Sequence, residues 1–196
     1  MVQSSLKPLT LKEFLELPET KPASEYINGQ IIQKNMPQGK HSILQGELTT
    51  LINRGLKPAS IAWAFPELRC TYPSGSRSSV YGERSIVPDI AVFAYDRLPT
   101  DENGEVSNTF LIPPDWTIEI LSPDQSQTRV TKNILHCLKY GTQMGWLIDP
   151  EDKSVFVYRP KQEIEIFDEL EVILPVPNWA IDLQLTIKDL FGYLLK

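Results

Sequence analysis

Apolar residues recur along this chain with two different periods, and the switches between them predict its elements. Thr10-Leu11-Lys12-Glu13 has capping-box spacing, in which the Thr hydroxyl and the Glu carboxylate satisfy backbone donors at a helix start. Leu11, Phe14, Leu15 and Leu17 then form a short apolar face that Pro18 ends. Residues 25–34 read as a hairpin with Asn28-Gly29 as its turn, because such a turn needs positive φ and these two residues tolerate it best. After the break at Pro37-Gln38-Gly39, Ile43, Leu44, Leu48, Leu51 and Ile52 recur at helical spacing until Gly55 closes the run.

Short strands are expected over 61–65 and 68–72, followed by a mobile Ser- and Gly-rich loop over 74–79. Residues 86–95 and 116–121 are strongly apolar strand candidates, and the Asp-, Asn-, Gly- and Pro-rich segment 98–114 between them should be a surface loop. A helix over 127–142 carries Val130, Ile134, Leu135, Leu138 and Tyr140. Residues 146–148 and 155–158 form a strand pair turning at Asp149-Pro150-Glu151-Asp152, and an amphipathic helix over 186–195 begins at Thr186-Ile187-Lys188-Asp189. This order predicts a mixed α/β sheet with helices packed on its faces.

Length and composition narrow the picture. A chain of 196 residues, 41% hydrophobic and 22% charged, reads as a single globular domain, 1–196. The net charge of −6 argues against broad, non-specific nucleic-acid binding, so any site for a phosphate backbone must be a local basic patch. Cys70 and Cys137 lack metal or redox spacing and are expected to pack as small apolar residues. With no signal-peptide core and no apolar run of bilayer-spanning length, the chain reads as soluble and cytoplasmic, with no membrane partner.

The candidate chemistry lies in two acids. Asp89 follows Pro88 inside Ile86-Val87-Pro88-Asp89-Ile90-Ala91-Val92, and Glu119 sits within Thr117-Ile118-Glu119-Ile120-Leu121. A carboxylate in an apolar strand is costly to bury unless paired or bound to a cation. Pro88 also removes a ladder hydrogen bond, which predicts an open or bulged edge there. If the strands are neighbours, both acids face one site. That site suits Mg²⁺ or Mn²⁺, since Mg²⁺ takes oxygen ligands and keeps several waters beside one or two carboxylates. The plainer alternative is two acids on solvated strand faces.

Asp89 after Pro88, then Ile118-Glu119-Ile120-Leu121-Ser122-Pro123, resembles the Uma-type branch of the PD-(D/E)XK restriction-endonuclease-like superfamily. Glu25-Tyr26-Ile27-Asn28-Gly29, the helix start at His41 and Gly145-Trp146-Leu147-Ile148-Asp149-Pro150 extend the likeness over roughly residues 10–160. The resemblance implies a restriction-endonuclease-like mixed β-sheet flanked by α-helices. It also implies Asp89 and Glu119 as metal ligands and DNA phosphodiester hydrolysis as the ancestral chemistry. The superfamily pattern places a Lys two residues after the second acid, and here that residue is Leu121. In this branch the basic residue moves to the following helix, which makes Lys132 the nearest candidate, with Arg129 and Lys139 beside it. Gln127, at the start of that helix, could orient a water. Glu25 is a candidate accessory ligand. His41 is a candidate base near neutrality or a phosphate contact, whereas His136 and Glu47 read as core and solvated residues. Arg69, Arg77 and Arg84 border the Ser-rich loop and could grip a phosphate backbone. Loss of the motif lysine keeps a second reading open, a non-catalytic nuclease-fold module for binding or assembly. Duplex-cutting domains of this kind often pair, so a homodimer is expected.

Overall fold

The structure, a computed structural model, describes residues 9–72, 83–123 and 125–196. Its first helix, α1 (Leu11–Leu15), starts on the expected capping box: Thr10 accepts from the Glu13 amide while Glu13 reaches back to Thr10. The hairpin follows, with β1 (Ser24–Ile27) antiparallel to β2 (Gln30–Gln33). Asn28 and Gly29 take φ of 50° and 86°, as their turn requires. The next helix, α2 (Gly39–Leu56), runs one residue past Gly55. It buries Leu44, Leu48, Ile52 and Leu56, four side chains whose removal from water is worth about 6–12 kcal/mol before conformational entropy is counted. Ile43 falls off this stripe and is exposed.

The main departure from the apolar pattern comes at Pro88. Residues 86–95 do not form one strand. After β3 (Ala62–Pro66) and β4 (Cys70–Tyr72), the chain makes β5 (Arg84–Ile86), breaks over 87–89, and resumes as β6 (Ile90–Ala94) in a different sheet. The physical reason is local. Pro88 has no N–H to donate, and the amides on either side bond to carboxylates instead of a neighbouring strand: Val87 donates to Glu25 Oε1 and Asp89 to Glu119 Oε2. The expected loop over 74–79, and Arg77 with it, lies outside the described residues.

Beyond this crossing, β7 (Trp116–Ile120) leads through Ser126, an N-cap whose hydroxyl accepts from the Arg129 amide, into α3 (Gln127–Lys139). That helix stops short of the expected 142, and the chain turns through Gly141 at φ 115°. The strand pair is β8 (Met144–Asp149) and β9 (Ser154–Tyr158), and a further strand, β10 (Glu165–Phe167), was not expected from the pattern. The final helix, α4 (Ile187–Gly192), carries a second capping box between Thr186 and Asp189.

Two sheets result. The smaller has the order β2-β1-β5-β4, and the larger β10-β9-β8-β7-β6-β3, in which only β7 and β8 run parallel. Helix α2 covers one face of the larger sheet and seals its edge, since the Asn53 amide bonds both the N–H and the C=O of Ala64 in β3. Helix α3 covers the other face so closely that a Cβ added at Gly145 would overlap Ile134 Cγ2. Trp116 and Trp146 meet edge-to-face in the core at 4.7 Å between centroids. Cys70 and Cys137 are free and buried, as expected; burial pushes the Cys137 thiol up to about 12. Among the described residues no helix is long and apolar enough to cross a membrane.

Candidate active site

The break at Val87-Pro88-Asp89 is where the chain passes from the smaller sheet to the larger, and the candidate chemistry collects at that junction. Strands β6 and β7 are antiparallel neighbours with Ile90 opposite Ile118. One step along this register sets Asp89 opposite Glu119. Both acids are buried, and each is woven into the backbone of the other strand: the Asp89 amide donates to Glu119 Oε2 at 3.4 Å, and the Ile120 amide to Asp89 Oδ2 at 2.7 Å.

A buried acid pair needs positive charge, and the smaller sheet supplies it. Lys34, one residue past β2, extends the hairpin by donating its amide to Ala23 O. Its Nζ lies 2.6 Å from Asp89 Oδ1, 2.7 Å from the Val87 carbonyl oxygen and 3.8 Å from Glu119 Oε2. His41, in the first turn of α2, places Nε2 3.1 Å from Asp89 Oδ2, while its buried Nδ1 has no protein partner. From the same helix Gln45 donates to the Asp89 carbonyl oxygen at 2.8 Å, holding the strand break from below.

These neighbours pull the two carboxyls apart. Burial opposes the Asp89 charge, but the Lys34 ammonium and the His41 hydrogen bond outweigh it and hold Asp89 below the usual carboxylate range. Burial, with the like charges of Asp89 and Glu25 added, raises Glu119 well above its ordinary value despite Lys34. For Lys34, burial favours the neutral amine, yet Asp89, Glu119 and Glu25 together keep the ammonium more basic than an ordinary lysine.

Of the residues singled out in the sequence, Asp89, Glu119, Glu25 and His41 come together. Glu25 is buried; it accepts from Val87 N at 3.0 Å and from Asn133 Nδ2 at 3.1 Å, so it anchors the strand break to α3. Arg129 lines a narrow recess with Glu25, Lys34 and Glu119. Lys132 is brought no closer: it is exposed on α3, and its neighbour Asn133 occupies the inward position. Gln127 is exposed as well, and Gln125 is the amide at the site, with its Oε1 accepting from Ser122 N. Arg69 and Arg84 are tied into the protein, to Glu19, Ser24 and Ser85 and to Asn133 and the Lys132 carbonyl. His136 packs edge-on against Tyr72 and tilted against Tyr140, and burial, with Arg84 and Lys139, lowers it to about 3.

Sequence reasoning missed Lys34. The sequence carries no alternation there, since Ile31 and Ile32 are both apolar; only in the folded hairpin, with Ile31 and Gln33 exposed and Ile32 and Lys34 half-buried, does the period of two put Lys34 on the inner side.

An open cavity of about 320 Å³ reaches this cluster, and its wall includes Lys21, Lys34, His41, Glu67, Asp89 and Gln125. Among the described residues no three acid, His or Cys side chains form a ready-made metal cage. Two carboxylates and a carbonyl instead converge on an ammonium, a stand-in cation ringed by hard oxygen donors. That donor set fits Mg²⁺ or Mn²⁺, which need only one or two carboxylates with water completing the shell.

A family model described as "Uma2: Putative restriction endonuclease" matches residues 11–188. The structure is also similar to a crystal structure described as "a putative nuclease belonging to DUF820 from Anabaena variabilis ATCC 29413". The two are 64% identical with a TM-score of 0.90, over 96% of this chain and 100% of that one. No curated protein matches significantly.

Proposed function

Since the chain belongs to the Uma2 family of restriction-endonuclease-like proteins, we propose that it is a metal-dependent endonuclease hydrolysing DNA phosphodiester bonds at Asp89 and Glu119. One observation carries this reading: a β6–β7 register that sets two buried carboxylates opposite each other around a cation, with Asp89 on the wall of an open cavity and Glu119 on the narrow recess that shares Lys34 with it. Asp89 and Glu119 would hold the metal. When bound, it would polarise the phosphodiester and lower the pKa of the attacking water.

The protein's own residues provide the rest. His41 and the Ile120 amide fix the Asp89 carboxylate from the side away from Lys34, so that one oxygen stays aimed at the site. Glu25 acts as an accessory by fixing Val87, and with it the break that presents Asp89. Arg129, on the rim of the recess, and Lys132, outside it, would contact DNA phosphates. Gln125 at the cavity wall takes the water-orienting role first assigned to Gln127. In the reaction a water oxygen bonds to phosphorus, the P–O3′ bond breaks, and the leaving O3′ takes up a proton. Convergence of both acids on a basic side chain favours this reading over a non-catalytic binding module, whose acids need not converge. A homodimer belongs to the proposal, since two copies would address both strands of a duplex.

The test is cleavage of supercoiled plasmid and single-stranded DNA with Mg²⁺ or Mn²⁺, comparing wild type with Asp89→Ala. Wild type is expected to nick or cut, and Asp89→Ala to lose at least about 100-fold in rate. No cleavage by wild type with either cation on either substrate, or equal cleavage by the variant, refutes the proposal.

A further inference from the structure

We infer that Lys34 is a displaceable cation. Its ammonium holds Asp89 and Glu119 together while no divalent ion is bound, and it moves onto the scissile phosphate when one binds. This rests on reading the two acids as a metal pair.

Three features of the structure point this way. First, Nζ is surrounded by Asp89 Oδ1, the Val87 carbonyl oxygen and Glu119 Oε2, the donor class a hard dication takes. An ammonium and a dication cannot share these oxygens, because like charges a few ångströms apart in a buried site repel strongly. Second, Lys34 has somewhere to go. It follows β2, the edge strand of the smaller sheet; Asn35 and Met36 beyond it are exposed, and its side chain lines both the open cavity and the recess at Glu119. The ammonium can therefore swing on its four-carbon stem without unpacking the core. Third, no other Lys or Arg among the described residues forms an ion pair with Asp89 or Glu119. Leu121, two residues beyond Glu119, packs with Val130, Ile134 and Leu147, and Lys132 is exposed on the next helix.

In the hydrolysis Lys34 transfers no proton. Water adds to phosphorus, the P–O3′ bond breaks, O3′ is protonated, and the Lys34 charge offsets the negative charge that builds on the non-bridging oxygens.

The role predicts opposite signs for binding and rate. In Lys34→Met, Mn²⁺ binding followed by electron paramagnetic resonance is expected to tighten about tenfold or more, since the competing cation is gone. Single-turnover DNA cleavage at saturating Mn²⁺ should fall by roughly 100-fold or more. A lysine with only a structural role would weaken both or change neither. Unchanged or weaker Mn²⁺ binding, or an unchanged cleavage rate, overturns the inference. Should Lys34→Met not fold, the wild-type protein decides: its Lys34 ammonium resonance, identified by its absence from Lys34→Arg, should shift on adding Mg²⁺. A resonance indifferent to Mg²⁺ overturns the inference. Tighter Mn²⁺ binding in Lys34→Met with no cleavage by wild type supports displacement and refutes the nuclease reading instead.

Discussion

Two isosteric substitutions in the buried acid pair should move stability in opposite directions. Asp89 accepts from Lys34 Nζ at 2.6 Å, His41 Nε2 at 3.1 Å and the Ile120 amide at 2.7 Å. Asp89→Asn keeps one acceptor oxygen and turns the other into an NH₂. At least one donor is then left facing another donor, and the Lys34 ammonium loses its closest counter-charge. Breaking one side of a buried pair costs about 3–5 kcal/mol. Glu119 is held more loosely: its oxygen accepts from the Asp89 amide at 3.4 Å and stands 3.8 Å from Lys34. It is also the carboxyl that burial, with Asp89 and Glu25 beside it, most disfavours in charged form. Glu119→Gln keeps the shape and an acceptor while removing one negative charge from a cluster of three acids around one lysine. A gain of about 1 kcal/mol is expected, a rise of roughly 2–4 °C in midpoint for a chain of this size. The assay is urea unfolding and thermal melting at pH 7.5 in EDTA, so that no bound cation masks the charge balance. Both variants should lose DNA cleavage, which separates stability from function. Equal destabilisation by the two variants, or a reversed order, refutes this account of the cluster's electrostatics.

Other consequences concern the frame around the site. Gly145→Ala should cost about 1–3 kcal/mol by overpacking α3 against β8, and combining it with Ile134→Ala, which removes the overlapping Cγ2, should cost less than the sum of the two single losses; additive losses in urea unfolding would rule out a direct clash. Because burial lowers His136 to about 3, the unfolded chain binds a proton there between roughly pH 6.5 and 3 that the folded chain does not. Its neutral form therefore supports the fold fully above pH 6.5, and that contribution is lost as pH falls. His136→Phe, packed against Tyr72 and Tyr140, should flatten the decline in melting temperature between pH 7 and 4.5, and parallel declines in the two proteins would contradict it.

Local signals were legible in the chain wherever a few neighbouring residues settle the matter. Thr10 with Glu13 and Thr186 with Asp189 start helices because their side chains satisfy backbone donors three residues away. Asn28-Gly29 turns the hairpin because both residues adopt positive φ. Asp89 and Glu119 stood out because acids in apolar strands demand partners, and the structure gives them each other. The short strand β10 did not show, since Glu165-Ile166-Phe167 is mostly exposed and makes its pairing only with β9.

The helix carrying Lys132 marks the boundary between the two kinds of information. Counting a heptad groups Lys132 with Lys139, but the buried positions Val130, Asn133, Ile134 and Cys137 fix the phase, and Lys132 falls outside it. Sequence alone determined which residue types must find partners and roughly where the elements lie, because periodicity, capping and turn chemistry act over three to ten residues. Only the tertiary structure decided that the chain leaves one sheet at Ile86 and enters another at Ile90, and that the cation beside the acids is Lys34. An ion pair between residues 34 and 89 depends on how two sheets meet, and no local pattern encodes that distance.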